Sequence, residues 1–175
     1  MTDQRASLKR LRQLIIFAML ASLMFMSKFL LEFLPNIHLL GVLTMVYTIV
    51  YRKKALIPIY LFVFMLGLYY GFNLWWIPYL YLWTVLWGIT MLLPQRLPSK
   101  IAPIVYMTVC GLHGLAYGSL YAVFQAFAYS FNFKQMLAWI AAGIPWDITH
   151  CIGNFIAGIL IYPLTKALLR LEKQY

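Results

Sequence analysis

The sequence predicts an all-α membrane protein, a six-transmembrane-helix bundle with both termini cytoplasmic. Three observations predict it. Of 175 residues, 64% are hydrophobic and 10% charged, with a mean hydropathy of +0.81, far outside the range of a soluble globular domain. The apolar residues gather into six segments of membrane-spanning scale, so the length holds about six helices and no soluble domain. Twelve of the fourteen Lys and Arg residues fall in alternate connections: four in the N-terminal stretch, three after the second segment, two after the fourth and three at the C-terminus. Lys and Arg collect on the cytoplasmic side of membrane proteins, which sets the orientation.

Arg5, Lys9, Arg10 and Arg12 precede the first segment, residues 14–34, which is too long for a signal-peptide core and lacks an A-x-A cleavage site. Pro35 and Asn36 break it. The second segment, 37–51, ends at the basic triplet Arg52, Lys53 and Lys54. The third, 55–72, turns at Gly71-Phe72-Asn73, and the fourth, 75–93, runs into a loop carrying Pro94, Arg96, Pro98 and Lys100. The fifth is long, 101–130. After the Asn132-Phe133-Lys134 turn the sixth, 135–169, tails into Lys166, Arg170 and Lys173. Residues 1–175 thus read as a single integral membrane domain, with Lys134 alone in an outer connection and Lys28 inside the first segment.

A formal net charge of +10 would suggest nucleic acid in a soluble protein. Beside membrane spans the same bases attract anionic lipid, so the bilayer and no nucleic acid is expected as partner. Cys110 and Cys151 both lie in apolar segments and read as small buried residues, not as a disulfide framework. The chain has no G-x-x-x-x-G-K phosphate loop, no G-x-S-x-G elbow and no C-x-x-C pair. ATP-driven work would therefore need another subunit. No repeat relates the two three-helix halves, which weighs against an inverted-repeat secondary transporter.

Polar residues inside a bilayer are costly, so each is a candidate. Lys28 and Glu32 are one turn apart on the first helix and either anchor its outer end or face a ligand. Asp147, His150 and Asn154, with Trp146 beside them, follow an i, i+3, i+7 stripe on the sixth helix. His113, Tyr117, Tyr121 and Gln125, each four apart, are again at helical spacing on the fifth and either face the sixth across the bundle axis or bond it. Around one outer turn crowd Tyr69, Tyr70, Phe72, Asn73, Trp75, Trp76, Tyr79, Tyr81 and Trp83. An interfacial aromatic belt explains part of this density. The remainder suits the walls of a site for a flat, partly polar organic ligand, with Asn36 and His38 adding hydrogen-bonding groups nearby. Small-residue pairs, Ala18-x-x-x-Ser22, Gly114-x-x-x-Gly118 and Gly153-x-x-x-Ala157, permit close helix approach, within the bundle or to a partner on the first helix.

With these features the chain resembles, over nearly its full length, the substrate-binding S components of energy-coupling factor (ECF) vitamin transporters. The resemblance rests on six helices in a short chain, a basic N-terminus, the start Ala18-Met19-Leu20-Ala21-Ser22, and the segment from Gly143-Ile144-Pro145-Trp146-Asp147 to Asn154-Phe155. It implies a multi-pass protein of a bacterial plasma membrane that captures a vitamin from outside. It also implies partners: a transmembrane T subunit and two cytoplasmic ATPase subunits, which hydrolyse the ATP. No enzymatic activity of the chain itself, no catalytic residue, no metal and no permanently bound cofactor is expected, the transported vitamin being the ligand. Ala18, Ala21 and Ser22 would dock the partner, Ser22 standing where the family typically has Ala. Asn36, His38, Tyr70, Asn73, Trp75, Trp76 and Tyr79 at the outer turns, with Tyr117, Tyr121, Gln125, Trp146, Asp147 and His150, would hold substrate.

Fold does not name the vitamin. Short outer connections leave little material for a lid, and a broad aromatic rim with the Leu34-Pro35-Asn36-Ile37-His38-Leu39 turn favours a corrinoid such as cobalamin, with folate, riboflavin, thiamine or pantothenate as alternatives. A stand-alone secondary transporter would need a coupling-ion path, for which Asp147 is the single mid-membrane acid. An intramembrane enzyme would have to use Asp147, His150 and His113 without an arranged nucleophile or an H-E-x-x-H spacing.

Overall fold

The computed structural model describes residues 2–34, 38–95 and 97–173. Among them 86% are helical and none is in a strand, so the protein is all-α. The elements are α1 (Thr2–Leu30), α2 (Leu40–Tyr51), α3 (Leu56–Tyr70), α4 (Tyr79–Leu92), α5 (Ala102–Ala128), α6 (Phe133–Ala157) and α7 (Ile161–Lys173). Turns of 3₁₀ helix at Arg52–Ala55, Leu74–Trp76 and Gly158–Leu160 lie between them.

Among the described residues three stretches are long and apolar enough to cross a membrane: Gln4–Leu30, Ala102–Ala128 and Phe133–Lys173. The helices between the first two are shorter than the apolar runs suggest. At 1.5 Å per residue, the 12, 15 and 14 residues of α2, α3 and α4 rise only about 18, 22 and 21 Å, against a hydrocarbon core of ~30 Å. Apolar residues at their ends go into turns: Gly71 takes a φ of +89°, a conformation that stops α3, and Leu74–Trp76 forms a 3₁₀ turn. The final segment also differs from a single helix over 135–169. It tightens into a 3₁₀ turn at Gly158, where a Cβ would come within 2.8 Å of the Met107 Cα on α5. Its start is fixed by a capping box, with Asn132 Oδ1 accepting from the Gln135 N–H at 3.0 Å and Gln135 Oε1 from the Asn132 N–H at 2.8 Å.

The core forms around α2, buried at every position from Leu40 to Thr48. Phe17, Ala21 and Met24 of α1, Phe62 and Leu66 of α3, Trp83 and Leu86 of α4, Cys110 of α5 and Ile161 of α7 close over it. The hydropathy of α2 is thus satisfied by protein. The outer surface is apolar too: Leu92, Phe127 and Phe33 are 85%, 83% and 76% exposed, a surface suited to lipid and not to water.

α6 docks on α5 by another route. Its buried residues are the polar Asp147, His150 and Asn154, and they lie against glycines of α5. A Cβ at Gly114 would meet the His150 carbonyl oxygen at 2.8 Å, and one at Gly118 would overlap the Asp147 carboxylate. Glycine is what allows this approach.

Hydrogen bonds gather the basic stretches at one end. Lys54 Nζ donates to Gln13 Oε1 at 3.2 Å, the Tyr51 hydroxyl to Glu172 Oε1 at 2.8 Å, and an Arg52 guanidinium N–H to the Met91 carbonyl at 2.8 Å. Trp87 Nε1 returns a bond to the Arg52 carbonyl at 3.1 Å. These contacts hold Arg52 at a φ of +54°, which an L residue adopts at a cost. Cys110 and Cys151 are free thiols.

Candidate ligand cavity

At the end opposite the Arg52–Lys54 turn, α1, α4, α5, α6 and the approach to α2 surround an open cavity of about 370 Å³. His38, just ahead of α2, reaches His150 of α6 with 3.1 Å between their Nε2 atoms and the rings 82° apart. One of the two nitrogens carries the proton and the other accepts it. The pair is packed by aromatics: Trp83 meets His38 edge-on at 5.9 Å and Tyr117 meets His150 at 4.8 Å.

The walls come from two helices. On the α4 side Trp75, Tyr79 and Trp83 form a chain of edge-to-face contacts at 5.7 and 6.0 Å. On α5, Tyr117 and Tyr121 stack at 6.4 Å, and the Tyr121 hydroxyl donates to the Trp75 carbonyl at 3.2 Å, tying the two walls together. Such contacts hold the rings rigid before a ligand arrives. The mouth is charged. Lys28, Glu32, Leu31 and Leu34 of the α1 end line it, and Tyr70 stands between the two charges, donating to Glu32 Oε2 at 2.9 Å with the Lys28 ammonium 5.8 Å from its ring centre.

A second cavity, about 410 Å³, adjoins the first and shares Tyr117, Tyr121 and His150 with it. Trp139, Trp146 and Asp147 line its other side, with Trp139 parallel to Tyr121 at 6.1 Å and 11°. Asp147 Oδ1 accepts the Gly118 backbone N–H at 2.9 Å. Several buried polar atoms near this region, His38 Nδ1, Trp83 Nε1, His113 Nδ1 and both amide atoms of Asn154, have no hydrogen-bond partner among the described residues. His113 Nε2 is paired with the Leu82 carbonyl at 3.1 Å. Among the described residues no three His, Cys, Asp or Glu side chains come together as metal ligands.

The structure therefore brings His38, Trp75, Tyr79, Tyr117, Tyr121 and His150 into the first cavity, and Trp146 and Asp147 into the second. Tyr70 stands behind the mouth. Trp76 spends its indole N–H on the Val63 carbonyl at 2.7 Å and packs on Phe72, so it fastens a turn to α3. Asn73 is exposed beside Gly71, and Gln125 lines neither cavity, its Oε1 buried without a partner among the described residues. Asn36 lies outside the described residues. Trp139 is absent from the sequence-derived set, although it sits eight positions before Asp147 on the same helical stripe. Lys28 and Glu32 are rim residues by position.

The docking triad divides. Ala18 and Ser22 are exposed on a shallow apolar strip with Met19 and Leu23, the Ser22 hydroxyl donating back to the Ala18 carbonyl at 2.9 Å. Ala21 faces the other way, fully buried in the core. Comparison of the chain with protein-family models, with curated proteins and with solved structures finds no match in any of the three.

Proposed function

We propose that this protein is the vitamin-capturing S component of an ECF-type transporter, crossing the plasma membrane six times with both termini in the cytoplasm. The observation that carries the reading is the aromatic cavity of about 370 Å³, lined by His38 and His150, at the end away from the basic Arg52–Lys54 turn and the basic stretches of α1 and α7. Preformed aromatic walls with a few convergent polar groups are the usual form of a small-molecule site. In the proposed arrangement α2, α3 and α4 span a locally thinned bilayer with the help of their flanking turns. Partner subunits supply the ATP hydrolysis for which this sequence has no motif.

The volume also bears on the ligand. A cavity of this size takes one drug-sized ring system whole. A corrinoid such as cobalamin would insert one edge and leave its bulk outside, whereas a flavin, a pteridine or thiamine would enter further. Lys28 and Glu32 at the mouth suit a ligand carrying charged or strongly polar substituents.

The test is to purify the protein in mild detergent and identify co-purifying small molecules by mass spectrometry and absorbance. A vitamin released intact on denaturation, and lost in a Tyr79→Ala protein that still folds, supports the proposal. Ion-gradient-driven uptake by the protein alone in liposomes would replace it with a secondary transporter.

A further inference from the structure

We propose that the second chamber binds the positively charged nitrogen of a flat aromatic ligand, with Asp147 as its counter-charge and Trp139, Trp146 and Tyr121 as the rings around it. This site rests on the capture reading, because the chamber adjoins the cavity that supports that reading and shares Tyr117, Tyr121 and His150 with it.

Asp147 lines the chamber and is only 7% exposed. Its Oδ1 accepts the Gly118 N–H at 2.9 Å, and Oδ2 has no partner among the described residues. His150, the neighbouring titratable group in the wall, has its Nε2 on His38 and makes no bond to the carboxylate. No Lys or Arg lines the chamber among the described residues. A carboxylate withdrawn from water with one N–H donor and no cation is costly. A cation brought by the ligand removes that cost, and the aromatic walls add to the attraction, because a ring face draws positive charge and Trp does so most strongly. A hard metal ion would want about six oxygens, whereas these walls are mainly rings and carbon.

The space has a matching shape. Trp139, Gly143 and Asp147 succeed one another in steps of four on α6, so ring and carboxylate stand about 12 Å apart along the axis. Midway between them, a Cβ at Gly143 would meet no atom within 4 Å. The gap is open, and a two-ring molecule fits its length with a charged nitrogen at the Asp147 end.

The purified protein in mild detergent is titrated with N-methylquinolinium and with N-methylquinolone, a neutral molecule of nearly the same shape, and binding is read by equilibrium dialysis. The cation is expected to bind one to one, at least about tenfold more tightly than the neutral ring. Asp147→Asn keeps an acceptor for the Gly118 N–H but removes the charge, so it lowers affinity for the cation about thirtyfold, the loss for unpairing a desolvated charge, and leaves the neutral ring unaffected. Gly143→Leu fills the gap with no clash at its Cβ, so it melts no lower than the wild type and loses the cation as well. Absence of a preference for the cation, whether both probes bind or neither does, overturns the proposal, as does an Asp147→Asn or Gly143→Leu protein that holds the cation like the wild type. Co-purification of a vitamin decides the capture reading separately: a vitamin captured without cation preference overturns this site alone, and cation preference without a captured vitamin overturns capture alone.

Discussion

Gly118 and Asp147 are locked together: the glycine N–H donates to the carboxylate at 2.9 Å, and no side chain fits between them. Gly118→Ala must therefore displace the Asp147 carboxylate and strip the backbone N–H of its acceptor, at a cost of about 1–3 kcal/mol. Asp147→Asn keeps an oxygen acceptor, whereas Asp147→Leu removes it at about 1 kcal/mol. Thermal unfolding in detergent should rank wild type above Asp147→Asn and Asp147→Asn above Asp147→Leu. A Gly118→Ala protein as stable as the wild type would show that the Asp147 carboxylate does not bear on this backbone N–H.

His38 and His150 should behave as a coupled pair. Each replaced by alanine loses the same hydrogen bond, so the double variant loses less than the sum, with a coupling energy of about 1 kcal/mol. Denaturation of the four proteins of the cycle measures it. Simple additivity would place the rings out of contact.

Ring removal separates wall residues from scaffold. Trp75→Ala and Tyr79→Ala each weaken ligand capture by about fivefold or more, since each loses a contact of about 1 kcal/mol beyond area burial, while the protein stays folded. Trp76→Phe deletes the bond to the Val63 carbonyl and part of the packing on Phe72, so it lowers stability by about 1–3 kcal/mol and spares capture. Ligand retained on the purified variants, set beside their melting temperatures, distinguishes the two effects.

Arg52 combines a costly backbone with a useful side chain. Arg52→Ala loses the guanidinium bond to Met91 and keeps the positive φ, whereas Arg52→Gly loses the same bond and relieves the backbone. Glycine should then be the milder change by about 1 kcal/mol. Alanine proving equal to glycine would argue that the turn relaxes.

Orientation is open to chemical labelling. In a Cys151→Ala background, a membrane-impermeant thiol reagent applied to intact cells should modify Lys134→Cys and leave Lys53→Cys untouched. The opposite pattern would invert the bundle and put the aromatic cavity on the cytoplasmic side.

Much of the fold is legible in the sequence because its cause is local. Hydropathy and composition specify helices, and the spacing of Asp147, His150 and Asn154 marks the three residues of α6 that the structure buries. Helix length is less legible. Residues such as Leu74 and Trp75 are apolar enough to extend a span, yet Gly71 and the following 3₁₀ turn remove them from it, and hydropathy does not register φ. Nor does it separate lipid from protein as solvent, so the buried Leu40–Thr48 run of α2 and the exposed face of α6 look alike. The His38–His150 contact spans 112 positions of chain, and no periodicity within a helix encodes it. Trp139 is the converse case, a residue on a visible stripe that the eye passes over because its neighbours are more polar.

Tyr117, Tyr121 and His150 form the partition between two adjoining chambers, three side chains and no backbone element. The largest guest the protein can admit is therefore not set by the bundle's width. It depends on these three side chains, so substitutions at them can change capacity without any helix moving.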